Sequence, residues 1–163
     1  MSMNLEKYKK IIADAFDSQN WNYSEEESSE AVIYSLIFSE NEKIRIKCRV
    51  TIFSNGICDI EGQFPFDCPK DDVTLISFSF HLARINCMKR YATIRLDIDR
   101  GTICNSYSFD FNESTTSEYF LNQFLKVRNI DDDEYEGIAM ICNMNKDVES
   151  EEEKPEDKYK LKL

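Results

Sequence analysis

Apolar residues recur at helical spacing near the start of the chain. Leu5, Tyr8, Ile11, Ile12 and Ala15 share one side, with Glu6, Lys9, Lys10 and Asp14 opposite, which predicts a helix from Asn4 to about Phe16. Residues 17–30 turn polar, and Ser24-Glu25-Glu26-Glu27-Ser28-Ser29-Glu30 reads as a solvated loop whose start is packed onto the body by Trp21 and Tyr23. The period then drops to two. Ala31–Phe38 is apolar on both faces, Lys43–Phe53 alternates Ile44, Ile46, Cys48, Val50 and Ile52 with basic and hydroxyl residues, and Ile57–Phe64 sets Cys58, Ile60 and Phe64 against Asp59, Glu61 and Gln63.

The two faces fix the turn between the last two of these strands. A two-residue Asn55-Gly56 turn would pair Ile52 with Asp59 and Val50 with Glu61, mixing apolar and charged positions. A three-residue turn, Ser54-Asn55-Gly56, pairs Ile52 with Cys58, Val50 with Ile60 and Ile46 with Phe64, and leaves Arg49 against Glu61 and Thr51 against Asp59. A one-residue slip would expose every core side chain, so the longer turn is expected, with Gly56 left-handed in a bulge and the second face charge-paired. The same register keeps Cys48 and Cys58 about 13 Å apart along the hairpin, too far for a disulfide. It also sets the basic row Arg45, Lys47 and Arg49 against Glu61 and Gln63, which argues against a nucleic-acid stripe.

Beyond Phe64-Pro65-Phe66-Asp67-Cys68, Pro69 suits the first position of a helix, and Asp71 and Asp72 suit its positive end. Across 73–88 the apolar residues Val73, Leu75, Ile76, Phe78, Phe80, Leu82, Ala83, Ile85 and Cys87 span about two-thirds of a helical wheel, where a surface helix needs only about 100°. Such a helix needs cover on two sides. Asn86 falls inside that arc and is expected to hydrogen-bond a backbone group. Strands follow at Tyr91–Ile98 and Ile103–Phe111, paired so that Ile98 meets Ile103, Ile94 meets Tyr107 and Ala92 meets Phe109. Thr115 with Glu118 reads as a capping box for a helix to about Val127, and a short last helix is expected from Asp131 with Tyr135, Ile138, Ala139 and Cys142. The expected fold class is α+β, one antiparallel sheet of about five strands packed with helices in the order α-β-β-β-α-β-β-α.

Composition narrows the function. The 163 residues carry 20 Lys and Arg against 31 Asp and Glu, a net charge of −11. An acidic surface argues against duplex nucleic acid or anionic lipid as partner. Residues 1–146 read as a single domain; residues 147–163 hold seven acids and four lysines with few apolar groups and read as a disordered tail. Met1–Lys7 lacks the apolar run of an export signal and no stretch is long enough to span a membrane, so a cytoplasmic protein with reduced cysteines is expected. No CxxC pair is present, and His81 is the only histidine, so no metal or cofactor site is expected. Asp97-x-Asp99-x-Gly101 places its glycine and its twelfth residue, Ser108, wrongly for a calcium loop and fits a tight hairpin turn. His81 sits on the polar edge of its helix, away from Cys87, and forms no local dyad. No phosphate-loop, dinucleotide or nucleophile-elbow motif occurs, so no enzyme activity is expected.

The stretch from Phe64 to about Tyr135 resembles the YbjN-like family, whose members share the fold of type III secretion chaperones. The resemblance rests on Phe64-Pro65-Phe66 and Pro69 before a helix ending Ala83-Arg84-Ile85-Asn86, on Ile94-Arg95-Leu96-Asp97-Ile98-Asp99 followed by Gly101, and on Tyr107-Ser108-Phe109-Asp110. Arg90-Tyr91-Ala92 stands where relatives often carry a glycine. The resemblance implies a dimeric α+β sandwich with no catalytic residues. Together with the over-wide arc of 73–88, it leads to the expectation of a non-enzymatic protein-binding module, chaperone-like or regulatory, acting as a homodimer. Ile33, Ile37, Phe78 and Ile85 are the expected partner-binding residues. The alternative is a small-molecule sensor with an apolar pocket between sheet and helices near Tyr107 and Phe109.

Overall fold

The computed structural model describes residues 3–40, 44–129 and 134–142. The expected start of a strand at Lys43, the start of the last helix at Asp131 and the tail 147–163 lie outside the described residues. The elements are α1 (Met3–Ser18), β1 (Ser24–Glu27), β2 (Ala31–Glu40), β3 (Ile44–Phe53), β4 (Ile57–Asp67), α2 (Asp72–Met88), β5 (Thr93–Asp97), β6 (Thr102–Asp110) and α3 (Ser117–Arg128), with a further helix, α4, at 134–142. They form an α+β fold on an open antiparallel sheet in the order β1-β2-β3-β4-β6-β5. β4 and β5 run parallel on either side of β6, so α2 is the crossover of a split β-α-β unit.

The sheet has six strands rather than about five, because Ser24–Glu27 is a strand and not a loop. It pairs with β2, Glu25 opposite Tyr34 and Glu27 opposite Val32. Its acids are held by a long-range partner: Lys9 of α1 reaches Glu25 at 3.0 Å and Glu27 at 2.6 Å. These contacts keep the Lys9 ammonium protonated well above its ordinary range. Trp21 and Tyr23 pack this segment down as expected, Trp21 edge-on to Phe38 and Tyr23 against Phe16 and Tyr34.

The β3–β4 hairpin has the expected three-residue turn. Ile52 pairs with Cys58, Val50 with Ile60, Arg49 with Glu61 and Thr51 with Asp59, and Gly56 takes a φ of 94°. Arg49 and Glu61 are cross-strand neighbours without an ion pair between them, so the second face is aligned by charge but not bridged.

The β5–β6 register differs from expectation. Ile94 pairs with Asn105 and Leu96 with Ile103, two residues from the expected match. A shift of two preserves both faces, so alternation cannot distinguish the registers; the turn does. The Asp97 carboxylate accepts from the Arg100 amide at 3.0 Å, and Gly101, at φ 65°, donates to the Ile98 carbonyl at 3.3 Å, closing the turn one residue earlier. Ile98 therefore sits in the loop instead of the strand.

Helix α2 starts with Asp71 as its N-cap, accepting from the Thr74 amide at 2.8 Å, so Pro69 lies ahead of the cap and not at the first helical position. The cap of α3 is Thr116, accepting from Tyr119 N, because the Thr115 hydroxyl is used to accept from Asn112 N at 2.9 Å. Asn86 does what its place in the apolar arc demands. Its amide donates to the Ile94 carbonyl at 2.9 Å and accepts from the Ile94 N–H at 2.8 Å, tying α2 to the edge strand β5.

The pairings put Cys58, Ile60, Phe64, Asn105, Ile103 and Ile94 on one face of the sheet, and the core lies on that face in two clusters. One joins α1 and α3 to β2, β3 and β4 around Phe16, Phe120 and Phe124; the other joins α2 and α4 to β4, β5 and β6 around Phe64, Phe78 and Ile138. Between them Asn105, fully buried, donates to the Val127 carbonyl at the end of α3 at 3.0 Å.

Two substitutions test these placements. Gly56→Val forces a branched residue to positive φ and brings its Cβ within 3.2 Å of the Phe111 carbonyl, so a loss of about 2 kcal/mol is expected by denaturant titration. An unchanged midpoint would refute the bulge. Asn86→Leu strands both backbone groups of Ile94 and should cost about 1–3 kcal/mol; a neutral result would mean that water replaces the amide.

Candidate functional site

Helix α2 carries two apolar stripes, each at coiled-coil spacing. Leu75, Phe78, Leu82 and Ile85 face the sheet, where Phe78 and Leu82 are buried. Val73, Ile76, Phe80, Ala83 and Cys87 follow the same three–four alternation on a seam about 160° away at 100° per residue. All five are exposed. Val73 is 79% exposed, Ile76 57% and Phe80 75%. The shifted β5–β6 turn adds Ile98, 64% exposed, to the same surface. Leu75, Ile76, Ser79, Phe80, Ala83 and Ile98 line an apolar cleft of about 450 Å³. The need for cover on a second side is thus met by nothing within the described residues. Ser79, the one polar group in the cleft, turns its hydroxyl back to donate to the Leu75 carbonyl at 2.8 Å.

A second concavity, of about 820 Å³, lies on the sheet face away from the helices. Ile37, Gln63 and Cys104 lie along its floor, with Lys47, Arg49 and Arg95 among them. Register brings these cations together: Ile37 pairs with Lys47, Lys47 with Gln63, Gln63 with Cys104 and Cys104 with Arg95. Among the described residues none of the three cations makes an ion pair. The acids of the lining are Glu61, Asp97 and Asp99, and Asp97 is engaged by Arg100 at 3.6 Å. Arg45 would extend the basic row, but its side chain lies outside the described residues.

The expected partner-binding residues separate. Phe78 is fully buried in the chain's own core and Ile85 is half-buried beside it, so neither offers the open surface that the neighbouring stripe does. Ile33 is half-buried on β2, and Ile37, 66% exposed, borders the basic groove. Tyr107 and Phe109 stack at 5.9 Å, pack against the first core cluster and line neither concavity. His81 packs beside Gly137 of α4. No group of three or more His, Cys, Asp or Glu among the described residues could hold a metal, and no described helix is long and apolar enough to cross a membrane. Asp97 serves the turn and Asp71 the helix cap, where the Thr74 amide holds its carboxyl below the usual range.

No protein-family model matches the chain, and no curated protein matches it.

The thiols test the burial pattern. Burial pushes the Cys48 thiol up to about 12 and also raises Cys58, whereas Cys87 is exposed on the open seam. The folded chain keeps the Cys48 proton to higher pH than the unfolded chain, so this contribution to stability is present below the ordinary thiol value of 9.0 and declines as pH rises toward about 12. Iodoacetamide at about pH 8 should reach Cys48 and Cys58 only in denaturant, and the thermal midpoint should be lower at about pH 10 than at pH 8. Rapid native alkylation of Cys58 would contradict the placement of β4.

Proposed function

We propose that this chain is a non-enzymatic, cytoplasmic protein-binding module, chaperone-like or regulatory, that works as a homodimer with the type III secretion chaperone-like fold. The observation that carries the reading is the exposed seam Val73, Ile76, Phe80, Ala83 and Cys87 on α2, continued by Ile98. Spacing of three and four is what one helix presents to another. Fully burying a large apolar side chain contributes about 1.5–3 kcal/mol, so the seam supplies a strong incentive to associate. Symmetry favours a second copy as the occupant: a self-complementary stripe closes on itself in a two-fold dimer and leaves no further apolar edge to propagate. Regulatory or chaperone binding of other proteins would then use surface outside the seam.

The chemistry of four thiols argues against a cysteine nucleophile among them. Cys48, Cys58, Cys68 and Cys104 are all pushed toward the neutral form by burial, the opposite of an activated nucleophile.

Light scattering of the full chain at tens of micromolar should give a dimer of the 19.2 kDa subunit. Phe80→Asp should yield a folded monomer with the parent's secondary structure by circular dichroism, because Phe80 is 75% exposed in its own fold. A monomeric parent would overturn the dimer.

A further inference from the structure

We propose that the basic groove on the open sheet face is the docking site of this chain's own acidic segment, residues 147–157. The groove stands out against the rest of the molecule. In a chain of net charge −11, it gathers Lys47, Arg49 and Arg95 with no ion pair to any of them among the described residues. Of the acids in its lining, Asp97 is turned to Arg100, leaving Glu61 and Asp99 against three cations. The segment 147–157 is the reverse: seven acids (Asp147, Glu149, Glu151, Glu152, Glu153, Glu156 and Asp157) and the single Lys154. Like charge repels it from the acidic remainder of the surface, whereas the groove lining holds four basic side chains against three acidic ones.

The chain's path makes the contact reachable. Cys142, the last described residue of α4, is buried in the cluster that holds Phe64, Ile94 and Ile103. Successive strand residues point to opposite faces, so Gln63, Arg95 and Cys104, each next to one of those three, floor the groove directly across the sheet. Stacked layers are about 10 Å apart. Glu151 is nine steps along the chain from Cys142, an extended reach of about 30 Å, several times the spacing of stacked layers. Acids at alternate positions of an extended chain recur every 7 Å or so, close to the separation of Lys47 and Arg49 along β3.

Tethering gives the segment a high local concentration, so a competing acidic peptide would have to displace it. The contact would also weaken with salt. The groove opens on the sheet face and the α2 seam on the helix side, and their linings share only Ile98; the oligomeric state reads the seam and the Lys47 link reads the groove, so the two can fail separately.

Zero-length carbodiimide coupling of the full chain, read by mass spectrometry, tests it. The expected product joins the Lys47 amine to an acid of 147–157. In a mixture of isotopically labelled and unlabelled chains the link should fall within one chain, and it should be lost at about 0.5 M salt. The double variant Arg49→Glu, Arg95→Glu, which keeps Lys47 as the reporter, should lower the yield about fivefold or more while the thermal midpoint holds, since both side chains are exposed. Lys47 left unlinked to the segment at low salt would overturn the proposal. So would links only between chains, or a yield indifferent to the double variant.

Discussion

One sheet face carries all the described helices, and that asymmetry governs the rest of the molecule. Alternation along β3, β4 and β6 sends apolar side chains one way and charged or hydroxyl side chains the other, so only one face can hold a core. Helices α1 and α3 fill the side over β2, β3 and β4, and α2 with α4 fills the side over β5 and β6. Asn105 and the Val127 carbonyl mark the boundary between the two halves. Helix α2 lies over the edge strand β5, with no helix among those described on its far side, and its sequence is apolar there too. The exposed seam follows from the sheet's one-sidedness and from the width of the apolar arc together.

The uncovered sheet face follows from the same alternation. A strand that buries Cys48 and Val50 must point Lys47 and Arg49 the other way. When β6 enters between β4 and β5, it brings Arg95 into line with Lys47 across Gln63 and Cys104. The groove is a by-product of strand order acting on residues far apart in sequence, and so is its local excess of basic side chains.

Much of the fold was legible in the chain. The β3–β4 turn could be solved because one wrong residue would have put Asp59 and Glu61 in the core. The β5–β6 turn could not, because a two-residue shift leaves both faces intact and the choice passed to the Asp97 and Gly101 hydrogen bonds. Strand β1 was hidden by its own composition: Ser-Glu-Glu-Glu reads as loop until Lys9, on another element, supplies the counter-charge. For α2 the surplus of apolar surface was plain, but not its division into an inner and an outer stripe, and so Phe78 and Ile85 were assigned to a partner that Val73, Ile76 and Phe80 are better placed to meet. The groove needed strand order, which local patterning does not contain.

The central claim is that the outer stripe of α2 is buried against a second copy, and hydroxyl-radical footprinting over a dilution series of the full chain measures this residue by residue. Oxidation of Ile76, Phe80 and Ile98 should rise together as the chain is diluted from tens of micromolar to nanomolar, while Ile37, on the opposite face, stays constant. Oxidation of the stripe that is high and flat across the whole range would contradict the account.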